Sequence, residues 1–182
     1  MTPKLEADLI CLEDGIGVQA LRATLEYFGV RVNYLPVGAG GDFIRYLGAP
    51  GASSAHVIIS GHGLPRGFCL DELAPGLAAE QKYNEVFPAE GVLKYARLGG
   101  KIVVSDACYS GNLKMANAFL ARGATAYLAP DGAPEGDAAL IFLQSLYYYL
   151  MDTGLPLAEA SAAARALDKE TAIFSLRTGE QD

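Results

Sequence analysis

Lys101-Ile102-Val103-Val104-Ser105-Asp106-Ala107-Cys108-Tyr109-Ser110-Gly111 is the stretch on which the reading of this chain turns. Lys101 to Ser105 is nearly all apolar and β-branched, the composition of a central strand buried on both faces. The next residues take a thiol, Cys108, off the strand end, and Tyr109-Ser110-Gly111 turns the chain into a helix. Asn112 is a suitable N-cap for that helix, which is expected to run to Arg122 and stop at Gly123. A buried strand feeding a helix predicts an α/β fold with helices on both faces of the sheet.

The same alternation extends in both directions. Upstream, Ala7 to Leu12 reads as a first strand, and Val18, Leu21, Leu25 and Phe28 fall at helical spacing before Gly29. Val30 to Leu35 is a second strand, closed by Pro36 and the glycine-rich loop Gly38 to Gly41, with a short helix over Asp42 to Leu47. His56 to Ser60 is a third strand, ending in Gly61-His62-Gly63. Leu64 to Gln81 has no firm period and suggests a small hairpin through Gly67 to Leu70 followed by a loop. A helix is expected over Pro88 to Leu98, with Pro88 acceptable in its first turn. Downstream, Thr125 to Ala129 is a fifth strand, followed by helices over Asp137 to Asp152 and Pro156 to Asp168 and an edge strand over Ala172 to Leu176. Neither repeats nor an interdomain linker interrupt this pattern, so residues 1–182 read as a single domain.

Half the residues are hydrophobic (51%) and 19% are charged, which excludes disorder. Only 14 Lys and Arg stand against 21 acids, and no basic stretch is interleaved with aromatics, so nucleic acid is not an expected partner. The net charge of −7 would welcome a cationic substrate or peptide. The longest apolar run, Ala138 to Leu150, is too short for a membrane span and is broken by Gln144 and Ser145. Met1 to Asp8 shows no signal-peptide pattern, and three cysteines without metal-type spacing suggest a reduced, cytoplasmic protein with no metal and no cofactor. Cys11 and Cys69 read as small buried hydrophobes. His56 opens a strand and reads as a satisfied structural histidine; the run Tyr147-Tyr148-Tyr149 mixes core and surface positions.

His62 differs from His56: it lies between glycines just past the carboxyl end of a strand, where α/β sheets bind their ligands. Cys108 holds the equivalent position after the next long strand. If these strands are neighbours, their ends lie about 4.8 Å apart and both side chains reach one cleft. A helix N-terminus and an imidazole beside Cys108 would lower its pKa toward the reactive thiolate. The amides of Gly63 and Cys108 can serve as an oxyanion hole. No Asp or Asn is evidently placed to orient His62, so a dyad without a third member is expected.

Ser60-Gly61-His62-Gly63 followed by Asp106-Ala107-Cys108-Tyr109-Ser110-Gly111 resembles the caspase-like superfamily of cysteine peptidases, which includes caspases, metacaspases, legumain-like and gingipain-like enzymes and the CHAT group. The 46-residue separation of His62 and Cys108 agrees with caspases, whose histidine lies about 50 residues before the cysteine. The resemblance spans most of the chain, including the alanine-rich helix near Gly154 to Ala164, similar to one found late in CHAT-type domains. It implies a three-layer α/β/α sandwich around a mostly parallel sheet of about six strands in the order 2-1-3-4-5-6. It also implies a cysteine endopeptidase acting on peptides or proteins through an acyl-enzyme. Caspases carry Gln where this chain has Asp106; Asp-x-Cys-x-Ser-Gly is closer to metacaspases and implies that Asp106 selects Arg or Lys before the cleaved bond. On the same basis Asp131, after the fifth strand, would help complete that pocket. Homodimerisation along the last edge strand, as in caspases, is one option, and the sequence leaves the oligomeric state open. Two further readings compete. One is a catalytically inactive caspase-like protein-interaction module, against which the intact His62 and Cys108 argue. The other is a flavodoxin-like domain holding an anion at Gly38 to Gly41, a loop without a phosphate-binding Lys or the G-x-G-x-x-G spacing.

Overall fold

The computed structural model describes residues 5–13, 15–70, 82–135 and 137–179. Its main sheet is built from β1 (Leu5–Cys11), β2 (Val30–Pro36), β3 (His56–Ser60), β7 (Ile102–Ser105), β8 (Ala126–Pro130) and β9 (Phe174–Thr178). Their order is β2-β1-β3-β7-β8-β9, with every pair parallel except the antiparallel edge pair β8–β9. Counting main-sheet strands alone, this is the expected 2-1-3-4-5-6. A second sheet of three short strands, β4 (Gly63–Leu64), β5 (Gly67–Cys69) and β6 (Val86–Phe87), carries the expected hairpin. The loop expected after it falls mostly outside the described residues.

Alternation along the strands sorts side chains into two cores. Ile10, Val57, Ile59, Val103, Tyr127 and Ala129 point to one face, under α2 (Gly40–Gly48), α3 (Ala89–Tyr95) and α4 (Leu113–Ala121). Leu9, Ile58, Val104 and Leu128 point to the other, under α1 (Ile16–Tyr27), α5 (Ala138–Met151) and α6 (Leu157–Arg165). Val103 and Val104 are both fully buried, as a strand covered on both sides requires. These are the three layers that the fold reading called for.

Most boundaries fall within two residues of expectation. One exception is α3, which stops at Tyr95 rather than Leu98. Ala96 is extended there (φ −67°, ψ 146°), and the amides of Arg97 and Leu98 bond to Leu47 and Arg122, so neighbouring elements satisfy the backbone in place of another helical turn. The last strand begins at Phe174 instead of Ala172 because Thr171 to Ile173 form a short 3₁₀ turn. Asp168 fixes that turn by accepting from the amides of Glu170 and Thr171. No described helix is long and apolar enough to cross a membrane.

Candidate active site

The site forms where β1, β3 and β7 end side by side. Ile59 of β3 faces Ser105 of β7, and the amide of Asp106 donates to the Ile59 carbonyl at 3.2 Å. His62 and Cys108 therefore leave the sheet at the same edge, from adjacent strands. On the other side of β3, the Leu12 amide donates to the Ser60 carbonyl at 2.8 Å, which carries Glu13 to the same edge. A cleft of about 450 Å³ opens there. Cys108, His62, Ser60 and Asp106 line it together with Glu13 and Asp137, and Ile16, Val18, Pro134 and Leu140 form its apolar walls.

A dense set of bonds fixes the loop that carries Cys108. Ser105 Oγ accepts from the Ala107 amide at 3.1 Å; Ser110 Oγ donates to the Ala107 carbonyl at 2.7 Å. Tyr127 Oη, fully buried, donates to the Ser110 carbonyl at 3.0 Å. Tyr109 is the non-glycine residue with positive φ among those described (59°), and its amide donates to Gly132 at 2.8 Å. This left-handed residue makes the abrupt turn just past the thiol, at a cost of about 1–2 kcal/mol.

The thiol is half-buried, and its pKa is raised. Burial is the main cause; charge on Asp106 and on Cys69 adds to it, while Cys108's own backbone amide works the other way. This corrects the expectation of a lowered pKa. The helix α4 begins only at Leu113, with Asn112 as its N-cap accepting from the Met115 amide at 3.0 Å. Its dipole starts beyond the Tyr109 turn, too far along the chain to reach the sulfur effectively.

His62 has an exposed neighbour that sequence reasoning missed: its Nε2 lies 2.8 Å from Glu13 Oε2. The expectation considered Asp and Asn as orienting residues, and the neighbour found is a Glu. The signal was an acid one residue past Leu12 on the strand that lies beside β3, visible once the order 2-1-3 is assumed. Gly63 packs on the main chain of Cys108, where a Cβ would drive into the Cys108 carbonyl oxygen. Gly61 (φ 146°) crosses so near Leu12 that a side chain there would collide with its Cβ at 2.7 Å.

Asp106 both bonds across the strand ends and lines the cleft. Its Oδ2 accepts from Ser60 Oγ at 2.7 Å and its Oδ1 from the Gly61 amide at 3.0 Å, so it ties the two strand ends together. It also opens part of its surface into the cleft while protein packs it on every other side. Burial pushes its carboxyl up to about 6, against the pull of Ser60, of Gly61 and of charge on His62. Asp131 is not among the residues lining the cleft. Its Oδ1 accepts from Ser175 at 3.0 Å and from Arg177 at 3.1 Å, both on the edge strand β9. Asp137, at the start of α5, lines the cleft instead. Among the described residues no group of His, Cys, Asp and Glu is arranged to hold a metal ion.

No protein-family model matches the sequence, and no curated protein matches it. Solved structures do. The Arg-specific cysteine proteinase gingipain R superposes with a TM-score of 0.64 at 13% identity, over 96% of this chain and 46% of that one. The complex of pro- and mature domains of RgpB from Porphyromonas gingivalis gives 0.61 at 13% identity, over 96% and 47%. The separase–securin complex of Saccharomyces cerevisiae gives 0.58 at 12% identity, over 96% and 12%. The chain thus spans about half the length of the gingipain chains and about an eighth of separase. At such identities the likeness speaks to architecture, and with the strand order and three layers described above it establishes that this chain has the caspase-like fold.

Proposed function

We propose that the chain is a cysteine endopeptidase with Cys108 as nucleophile, His62 as proton carrier and Asp106 as the group that selects Arg or Lys before the cleaved bond. The observation that carries this reading is that one cleft is lined by Cys108, His62 and Asp106, all at the ends of adjacent parallel strands. Apolar walls from Ile16, Pro134 and Leu140 suit the methylene stem of a long basic side chain, and the lining holds three carboxylates with no Lys or Arg among the described residues. The arginine specificity stated for gingipain R points the same way.

In the proposed reaction the resting thiol is neutral. A bound cation pairs with Asp106 and ionises it fully. His62 accepts the Cys108 proton as sulfur attacks the carbonyl carbon, and the amides of Gly63 and Cys108 receive the oxyanion. The C–N bond breaks, the departing amine takes the proton from His62, and a thioester remains. Water then attacks the thioester while His62 takes its proton, which releases the acid and returns the thiol. Glu13 holds the imidazole and balances its positive charge.

A fluorogenic peptide panel varying the residue before the cleaved bond tests this. Arg and Lys substrates should be turned over best, and Cys108→Ala should abolish turnover. Asp106→Ala should remove the basic preference, lowering kcat/KM for Arg by about 10- to 100-fold, as loss of a charge-assisted bond does. A second reading, a caspase-like module that binds a protein partner without cleaving it, draws support from the protonated resting thiol. Slow alkylation of Cys108 with no turnover of any peptide would favour it.

A further inference from the structure

The hairpin after His62 sets a second cysteine, Cys69, beside that residue. Gly63 faces Phe68 and Leu64 faces Gly67, so the register sets Cys69 opposite His62; the Cys69 amide donates to the His62 carbonyl at 3.0 Å. Residues opposite one another in an antiparallel pair share a face and stand about 4.5–5.5 Å apart between Cα atoms. Phe68 takes the inward face and is fully buried against Phe43 and Phe119. Cys69 is thereby turned to the face of His62, the residue that lines the cleft with Cys108. Gly63, next to His62, is packed on the Cys108 main chain. The two cysteines thus flank the same His62-Gly63 dipeptide. Charge on Cys69 adds, after burial and Asp106, to what opposes ionisation of Cys108. Both thiols are half-exposed, whereas Cys11 is buried on the opposite face of the sheet.

From this arrangement we infer that Cys69 and Cys108 form a redox modification site, in which a reversible disulfide between them caps the nucleophile. With a peroxide as oxidant, the Cys108 thiolate attacks one peroxide oxygen, the O–O bond breaks and a sulfenic acid forms, with hydroxide leaving as water once protonated. The Cys69 thiolate then attacks the sulfenic sulfur, the S–S bond forms and the S–O bond breaks, releasing a second water. Two thiols lose two electrons and two protons, and one peroxide becomes two waters. Its consequence for catalysis rests on the peptidase reading; the bond itself does not. Burial raises the pKa of both thiols, so closure accelerates as pH rises.

The test is mass mapping of the full chain after treatment with equimolar hydrogen peroxide. The expected product is two hydrogens lighter, resists iodoacetamide at Cys69 and Cys108, and yields a linked pair of tryptic peptides, Gly67–Lys82 and Ile102–Lys114. Dithiothreitol should restore both thiols. In Cys69→Ser, Cys108 should instead be trapped by dimedone and pass on to the irreversible sulfinic acid, whereas Cys11→Ser should behave as the native chain. A link between two molecules, or equal over-oxidation of Cys108 in the native chain and in Cys69→Ser, would overturn the inference. Because the readout is mass, its failure is distinct from an absence of peptide cleavage.

Discussion

Burial, Asp106 and Cys69 all hold Cys108 in its thiol form, and this sets how it will react. Alkylation should be slow at neutral pH and rise about tenfold per pH unit until the thiolate predominates. Stopped-flow labelling with iodoacetamide checks this; a rate flat from pH 5 to 8 would indicate a preformed thiolate–imidazolium pair. In the proposed mechanism Glu13 acts through His62, so Glu13→Gln should lower kcat by at least about tenfold with little change in KM, and should shift the acidic limb of the pH–rate profile. An unchanged profile would make the pair a surface contact only. Cys108, His62 and Asp106 could be read directly from the sequence because each stands in a short motif at a strand end. Glu13 could not, since an acid just after a strand looks like any solvated loop residue until its spatial neighbour is known. Cys69 was masked by Phe68: one inward aromatic suggests a buried run, yet period-two alternation turns the next side chain outward.

At the level of elements, the hairpin and the loop carrying Cys108 are packed together at Gly63. Gly63→Ala would push a methyl group into the Cys108 carbonyl and should cost about 1–3 kcal/mol, as overpacking does. Urea unfolding measures that loss, and turnover should fall further than stability because the proposed oxyanion amides separate. Tyr109→Gly tests the opposite case. Removing a side chain from a left-handed position should stabilise the fold by up to about 1 kcal/mol while loosening the loop and lowering kcat. The elements themselves were legible because the strands are runs of β-branched residues. Their exact ends depended on tertiary bonds, such as those of Arg97 and Leu98, that no local pattern contains.

Across the whole molecule, two buried groups set opposing pH responses. His56 is held down to about 4 by burial, with its Nδ1 2.9 Å from Tyr147 Oη. Its contribution is fully present above the unfolded value of about 6.5 and is lost as pH falls toward 4. Asp106, raised to about 6, works in the other direction: its contribution is complete below the unfolded value of about 3.9 and is lost as pH rises through 6. Stability should therefore change little between pH 4 and 6.5. In Asp106→Asn the His56 response stands alone, and unfolding free energy should drop by about 3 kcal/mol as pH falls from 6.5 to 4. Thermal melts across the range test this; an equally flat profile in the variant would refute the pairing.

The three neighbouring strand ends also impose an order in time. Glu13, His62 and Cys108 follow β1, β3 and β7, and β3 pairs with each of the other two across roughly 50 residues of chain, so the proposed site is complete only when both pairings have formed. Such long-range pairing is slow compared with helix formation. A growing or partly folded chain would carry an isolated thiol, and the proposed cleaving activity would arrive only with the finished sheet. If the proposed peptidase activity holds, a chain built this way would be harmless to its own unfolded segments during the interval when they are most exposed.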